Sequence, residues 1–259
     1  MSVTIKSADE IRKMREAGRL LGIVHNEMHE ALHAGMTTKE LNDFGEKLIE
    51  KLGCRPNFLH YQGFPAAFCI SVNQEVVHGI PRKSRVIREG DIVSIDAGLI
   101  YEGMHSDAAR TWGVGKISPE AQKLIDVTRE SFFRGIEYAK QGRYLYEISG
   151  AIGDYASSFG YGVVRELTGH GIGKALHEDP AIPNYRQSRK GVRLVRGMTL
   201  AIEPMINAGK ADVVWKEDGW TVVTRDGSLS AHYENTVLIT DGEPEVLTLV
   251  QGDSHGSGN

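Results

Sequence analysis

Apolar residues recur at helical spacing near the start of the chain: Ile11, Met14, Leu20, Leu21, Val24 and Met28 fall on one face of a 3.6-residue period. Ser7 followed by Glu10 makes a capping box and sets the start of this helix. A second helix is predicted from Thr37 or Thr38, with Leu41, Phe44, Leu48 and Leu52 on one face and Gly53 as its stop. The pattern then changes. Short apolar runs, AAFCISV, DIVSIDAGLI and AARTWGV, broken by Gly, Pro and Asn, read as strands. Ser118-Pro119-Glu120 opens a third helix reaching about Lys140, because proline suits the first helical position. A fourth covers roughly Leu145 to Phe159. Strand-like runs return at YGVVREL, MTLAIEPMI, GWTVVTR and ENTVLIT, and the polar, small-residue tail is expected to be disordered.

Helices, strands, helices, strands is the order of a duplicated α+β unit rather than of strict βαβ alternation. A local match supports the duplication: the stretch from Arg88 to Asp96 aligns with that from Val195 to Glu203. Each places a carboxylate six residues after a glycine, at the end of an apolar strand, and each strand is preceded by a histidine, His78 or His177. The expected organisation is one catalytic domain over residues 1–249, with halves of about 1–117 and 118–249, and a flexible tail at 250–259.

Composition narrows the setting. The chain has 259 residues, enough for a substantial core, with 41% hydrophobic and 25% charged residues. A net charge of −4 argues against a nucleic-acid surface, and no apolar run approaches the roughly 20 residues of a membrane span. The first residues carry no apolar signal-peptide core. Cys54 and Cys69 are the only cysteines and form no CxxC pair, so a disulfide framework is disfavoured and a reducing cytoplasm is expected.

The chemistry lies in acids placed within apolar strands. Asp96 ends one strand and Asp107 follows after the turn-like Tyr101-Glu102-Gly103, so a hairpin would bring the two together. Glu203 and Glu234 stand in like positions in the second half. A single such acid is ordinarily a solvated strand end, but four in apolar strands must be protonated, paired or bound to metal. Two divalent cations would offset four negative charges. His170, in Leu167-Thr168-Gly169-His170-Gly171-Ile172-Gly173, adds an imidazole where flanking glycines let backbones crowd together. Such an oxygen-rich set suits Mn, Fe(II) or Co. Two other motifs fail. Gly169 to Lys174 lacks the spacing and the Ser or Thr of a phosphate-binding loop, and His177-Glu178-Asp179-Pro180 has neither the helix nor the second histidine of HExxH.

With these residues in hand, the chain resembles the methionine aminopeptidases of the pita-bread fold, in their bacterial type I form. The matching segments are Val77-His78-Gly79-Ile80-Pro81, Ser94-Ile95-Asp96-Ala97-Gly98, Ser106-Asp107-Ala108-Ala109-Arg110-Thr111, Thr168-Gly169-His170-Gly171-Ile172-Gly173, His177-Glu178-Asp179-Pro180, Ile202-Glu203-Pro204 and Glu234-Asn235-Thr236. The resemblance implies two pseudo-symmetric halves around a central antiparallel sheet. It also implies a pair of divalent ions (Co, Mn or Fe(II)) held by Asp96, Asp107, His170, Glu203 and Glu234, with Asp107 and Glu234 bridging. It makes Tyr61, Phe64, Cys69 and Trp220 the walls of a methionine pocket, and places His78 and His177 against the substrate peptide. Phe58, Phe64 and Leu176 depart from residues common in related enzymes, yet keep that pocket apolar.

The implied reaction is removal of the initiator methionine before a small second residue. A hydroxide bridging the ions would attack, Glu203 would act as general base, His177 would steady the oxyanion and His78 the scissile amide. The implied partners are nascent polypeptide N-termini at the ribosome, for a monomeric cytoplasmic enzyme with no nucleic-acid or membrane partner. The rival readings are a proline-directed peptidase of the same fold and a catalytically inactive binding module. The two short helices before the catalytic pattern leave no room for the extra domain of the first, and loss of ligands would mark the second.

Overall fold

In the computed structural model, which describes residues 3–250, helix α1 (Ala8–Ala31) starts at a reciprocal box. The Ser7 hydroxyl accepts from the Glu10 N–H, and the Glu10 carboxylate accepts from the Ser7 N–H. Helix α2 (Thr38–Lys51) opens in the same way at Thr37 with Glu40, and Gly53, at φ +73°, turns the chain away after it. Helix α3 (Pro119–Ile136) is capped by Ser118 with Pro119 in the first turn, and α4 (Leu145–Ser158) follows.

Two helical expectations need correction. Phe44 is exposed, because the buried stripe of α2 runs through Leu41, Asn42, Gly45 and Ile49. Asn42 turns inward to accept the Ala67 and Phe68 N–H groups, and Gly45 lets the helix lie directly on Phe68 and Met28. Helix α3 stops before Lys140. After Ile136 the chain tightens into turns in which Tyr138 donates to Gly135 O and Ala139 to Ile136 O, which seats Ala139 in the core.

Among the described residues, nine strands form the main sheet. The ones that matter here are β1 (Phe68–Val72), β2 (Ile92–Tyr101), β3 (Met104–Gly113), β4 (Gly169–Gly171), β5 (Glu178–Ile182) and β6 (Thr199–Ile202). After β7 (Met205–Asn207) and β8 (Ser230–His232) comes β9 (Glu234–Leu238). The path across the sheet is β2–β3–β9–β6–β4–β5, all antiparallel, with β1 also on β2. The run MTLAIEPMI is not one strand: β6 ends before Glu203-Pro204, and β7 joins a separate three-stranded sheet with β8. Proline cannot donate to a ladder, so the strand breaks there. Glu178 lies in strand β5 and not on a helix, which removes the HExxH geometry altogether.

The sheet separates its residues by parity. Val93, Ile95, Ala97 and Leu99 of β2 and Ala108 of β3 pack with the buried stripes of α1 and α2. Leu200, Ile202 and Val237 pack in the same way with Phe132, Phe133, Ile148 and Ile152 of α3 and α4. The alternate residues therefore face the opposite side.

One set of backbone hydrogen bonds occurs twice, at residues 107 apart. Gly35 donates to Ile87 O and Gly142 to Leu194 O; Ile87 donates to Met36 O and Leu194 to Arg143 O. Thr37 bridges to Val86 as Tyr144 does to Arg193. Gly90 and Gly197, at φ +88° and +84° and likewise 107 apart, donate in matching turns to Val114 O and Ile239 O, which are 125 apart. The stretch from Arg88 to Asp96 and that from Val195 to Glu203 thus share a backbone conformation as well as a sequence pattern.

Candidate metal centre

The strand register gathers the acids. On paired antiparallel strands, directly opposed residues point to the same face, as do residues two apart on one strand. Asp96 opposes Ala109, and Ala109 opposes Glu234; Gly98 opposes Asp107. Thr236, two residues past Glu234, opposes Ala201, which opposes His170. Asp96, Asp107, Glu234 and His170 therefore project from one face across five adjacent strands, and Glu203 extends from the end of β6 two residues after Ala201. This is the face that the helices leave open.

Ligand atoms of Asp107, His170 and Glu234 all lie within 4.8 Å of one another. His170 Nε2 is 3.8 Å from Asp107 Oδ2 and 3.6 Å from Glu203 Oε1. Its Nδ1 lies 2.9 Å from Gly171 O. A carbonyl can only accept, so Nδ1 carries the hydrogen and the Nε2 lone pair faces the acids. Burial, reinforced by His177, lowers the His170 pKa to about 3, so the ring is neutral. Glycine on either side is required: a Cβ at Gly169 would strike Ala201 O, and one at Gly171 would strike Asp179 O.

Asp96, Asp107 and Glu234 are buried, and Asp96 Oδ1, Asp107 Oδ1 and Glu234 Oε1 have no hydrogen-bond partner among the described residues. Burial raises all four acids: Asp96 to about 8, and Asp107, Glu203 and Glu234 well above the usual carboxylate range, with their mutual repulsion pushing the last three further. Buried acids without a counter-charge are costly. Orphaned oxygens converging beside a free imidazole lone pair fit divalent cations and explain this charge better than any basic side chain does. The buried guanidinium of Arg110 is behind the sheet, where it donates to Ala109 O and to Asn235 Oδ1.

A cavity of about 170 Å³ opens beside the acids. All eleven residues singled out in the sequence line it: Tyr61, Phe64, Cys69, His78, Asp96, Asp107, His170, His177, Glu203, Trp220 and Glu234. Cys69 opposes Asp96 across the β1–β2 pair, and burial pushes its thiol well above its usual pKa. Phe64 meets Trp220 edge to face at 5.2 Å. Tyr61 OH is 2.9 Å from His177 Nδ1, and the His177 ring stands edge-on to His170 at 4.3 Å. His78, at φ +56°, holds a backbone conformation rare outside glycine.

Three residues escaped sequence reasoning. Gln62 also lines the cavity, but only the turn at Tyr61–Gly63 brings it there. Arg110 clamps the joint between β3 and β9. His232 is buried with its Nε2 3.8 Å from Glu203 Oε2. Its position two residues before Glu234 was the available signal.

Comparison with known proteins agrees with this geometry. The model of metallopeptidase family M24 matches residues 12–241. The methionine aminopeptidase of Clostridium acetobutylicum is 53% identical over 249 residues, covering 96% of this chain and 100% of that protein. The crystal structure of a methionine aminopeptidase from Thermotoga maritima superposes with a TM-score of 0.93 at 44% identity, covering 95% of this chain and 99% of the other. A prolidase from Pyrococcus furiosus reaches a TM-score of 0.79 at 25% identity, but only 66% of it is matched, against 95% of this chain. The fold is the pita-bread fold shared by these enzymes, and the chain belongs to metallopeptidase family M24 and, within it, to the methionine aminopeptidases.

Proposed function

We propose that this chain removes the N-terminal methionine of newly made polypeptides in the cytoplasm, acting as a monomer on a free amino terminus with a small second residue. The catalytic unit is one domain of two halves, about 1–117 and 118–249, and the repeated turns at Gly90 and Gly197 support that division. Asp96, Asp107, His170, Glu203 and Glu234 hold two divalent ions, with Co, Mn and Fe(II) the fitting choices for such donors. The observation that carries this reading is the gathering of three buried acids, the half-buried Glu203 and one neutral imidazole beside an apolar cavity.

Bound there, the ions would lower the pKa of a water towards neutrality and would polarise the scissile carbonyl. Glu203 accepts the proton of the attacking water and returns it to the leaving nitrogen. In the tautomer in which His177 Nδ1 accepts the Tyr61 O–H, Nε2 carries the hydrogen and donates to the oxygen on which charge develops. His78 holds the scissile amide. Phe64, Cys69, Trp220, Tyr61 and the neighbouring Phe58 and Leu176 form the apolar slot, which an unbranched thioether fills well.

Purified protein assayed on Met-Ala-Ser, Met-Leu and Ala-Pro peptides, with and without Mn, Fe(II) or Co, tests this. Metal-dependent release of methionine from Met-Ala-Ser alone is expected. Cleavage dependent on proline, or none with any of the metals, overturns it.

A further inference from the structure

His232 has no part in the roles above. It ends β8, is 2% exposed, and neither ring nitrogen has a hydrogen-bond partner among the described residues. A buried imidazole with an unpaired N–H is rare enough to need a reason. Its backbone is clamped: the His232 N–H donates to Thr111 Oγ1 at 2.9 Å, and Thr111 Oγ1 donates back to His232 O at 2.9 Å. The ring is therefore placed by its strand, not by any partner of its own. Nε2 lies 3.8 Å from Glu203 Oε2 and 4.0 Å from Glu234 Oε2. Glu203 thus stands between two imidazoles, with Oε1 towards His170 and Oε2 towards His232.

The repeated backbone explains how this residue arrives there. Gly98 and Met205 stand at the spacing of 107 residues that relates the matching turns. Gly98 opposes Asp107 in one half, and Met205 opposes His232 in the other. His232 therefore holds the second-half position that Asp107 holds in the first. One half presents an acid to the centre, and the other presents a hydrogen-bond donor.

We infer that His232 is a positioning residue for Glu203: its Nε2–H donates to Glu203 Oε2 and leaves Oε1 directed at the reacting centre. An ionised carboxylate offers only acceptors, and the 3.8 Å separation of Nε2 from Oε2 is one that a small turn of the Glu203 side chain would close. The inference rests on Glu203 acting as ligand and base. Fixing one oxygen of that carboxylate removes the rotation by which it would otherwise exchange its two oxygens, which keeps the proton acceptor aligned for attack.

His232→Leu and His232→Gln separate the possibilities, each compared with the parent on Met-Ala-Ser, by titration calorimetry of the chelator-treated protein with Mn, and by thermal melting. Leu keeps the volume apolar and removes the donor; Gln restores an N–H. The expectation is that Leu lowers kcat and weakens binding of one Mn on the order of 10-fold, with KM and the count of two ions retained. Gln recovers both to within about 3-fold. An unchanged kcat and Mn affinity in the Leu variant overturns the inference. So does loss of one whole ion in both variants, which would make His232 a direct ligand, or equal impairment of both with a lowered melting temperature, which would make it structural. Inactivity of the parent protein itself would instead strike at the proposed function, and is read before either variant.

Discussion

At Asp107 two demands meet. The residue is 3% exposed and its Oδ1 has no hydrogen-bond donor among the described residues, while its backbone N–H is held at 3.0 Å by Thr236 Oγ1. The backbone is fully satisfied and the carboxylate is not, which separates what the fold needs from what the site needs. The same holds for His170, whose Nδ1–H is spent on Gly171 O so that Nε2 faces Asp107 and Glu203. His170→Ala should therefore remove a cation ligand without disturbing the sheet: metal content drops and methionine release is lost, while the circular dichroism spectrum stays that of the parent. His78→Ala should keep both ions and lower kcat on the order of 10²-fold, the scale of a lost transition-state hydrogen bond. Metal analysis beside kinetics checks the pair, and unchanged metal content in His170→Ala contradicts the first assignment. The acids were legible in the sequence as candidates because a charge inside an apolar strand is conspicuous, and His170 because glycines flank it. His232 was not, since its importance depends on which residue it opposes.

At the scale of elements, the starts of the helices are local chemistry and read directly: Ser7–Glu10, Thr37 and Ser118–Pro119 stand at the starts of α1, α2 and α3. The face of α2 was misread because helical periodicity ranks Phe44 above Asn42 and Gly45, whereas packing on Phe68 rewards a small residue and the two hydrogen bonds Asn42 can accept. The strand elements depend on closer approach than side chains permit. Strand β4 lies between β6 and β5, and Gly171 sits against Asp179 O. Gly171→Ala drives a methyl into that carbonyl, and relief must come from shifting β4 and His170 with it. The expected result is a loss of about 1–3 kcal/mol in urea unfolding together with weakened metal binding; a variant as stable and active as the parent contradicts the close approach.

For the whole molecule, the two halves join where β3 meets β9, through Ala108 and Ala109 opposite Asn235 and Glu234. Arg110 closes this joint from behind by donating to Ala109 O and Asn235 Oδ1. Here α1 also reaches the joint, as His25 Nε2–H donates to Ala108 O at 2.9 Å. Burial, and secondarily the Arg110 charge, lowers the His25 pKa to about 3 from an ordinary 6.5. The unfolded chain takes up a proton at His25 below pH 6.5, and the folded protein does not until about pH 3. Its share of stability is thus complete above pH 6.5 and is lost as pH falls through that window, at no more than about 1.4 kcal/mol per pH unit. In the chelator-treated protein, His25→Gln should lose about 1–2 kcal/mol less than the parent between pH 7 and pH 5 by urea denaturation. Equal losses would place the acid sensitivity elsewhere. Sequence periodicity assigns His25 no role, since its neighbour across the core is more than eighty residues away.

The convergence of both halves on shared cations is tested most directly by anomalous diffraction at the Mn edge, on crystals of protein grown with Mn. Two peaks are expected, one touched by Asp96, one by His170 and Glu203, and both by Asp107 and Glu234. Peaks elsewhere on the molecule, or none between these five side chains, would contradict it.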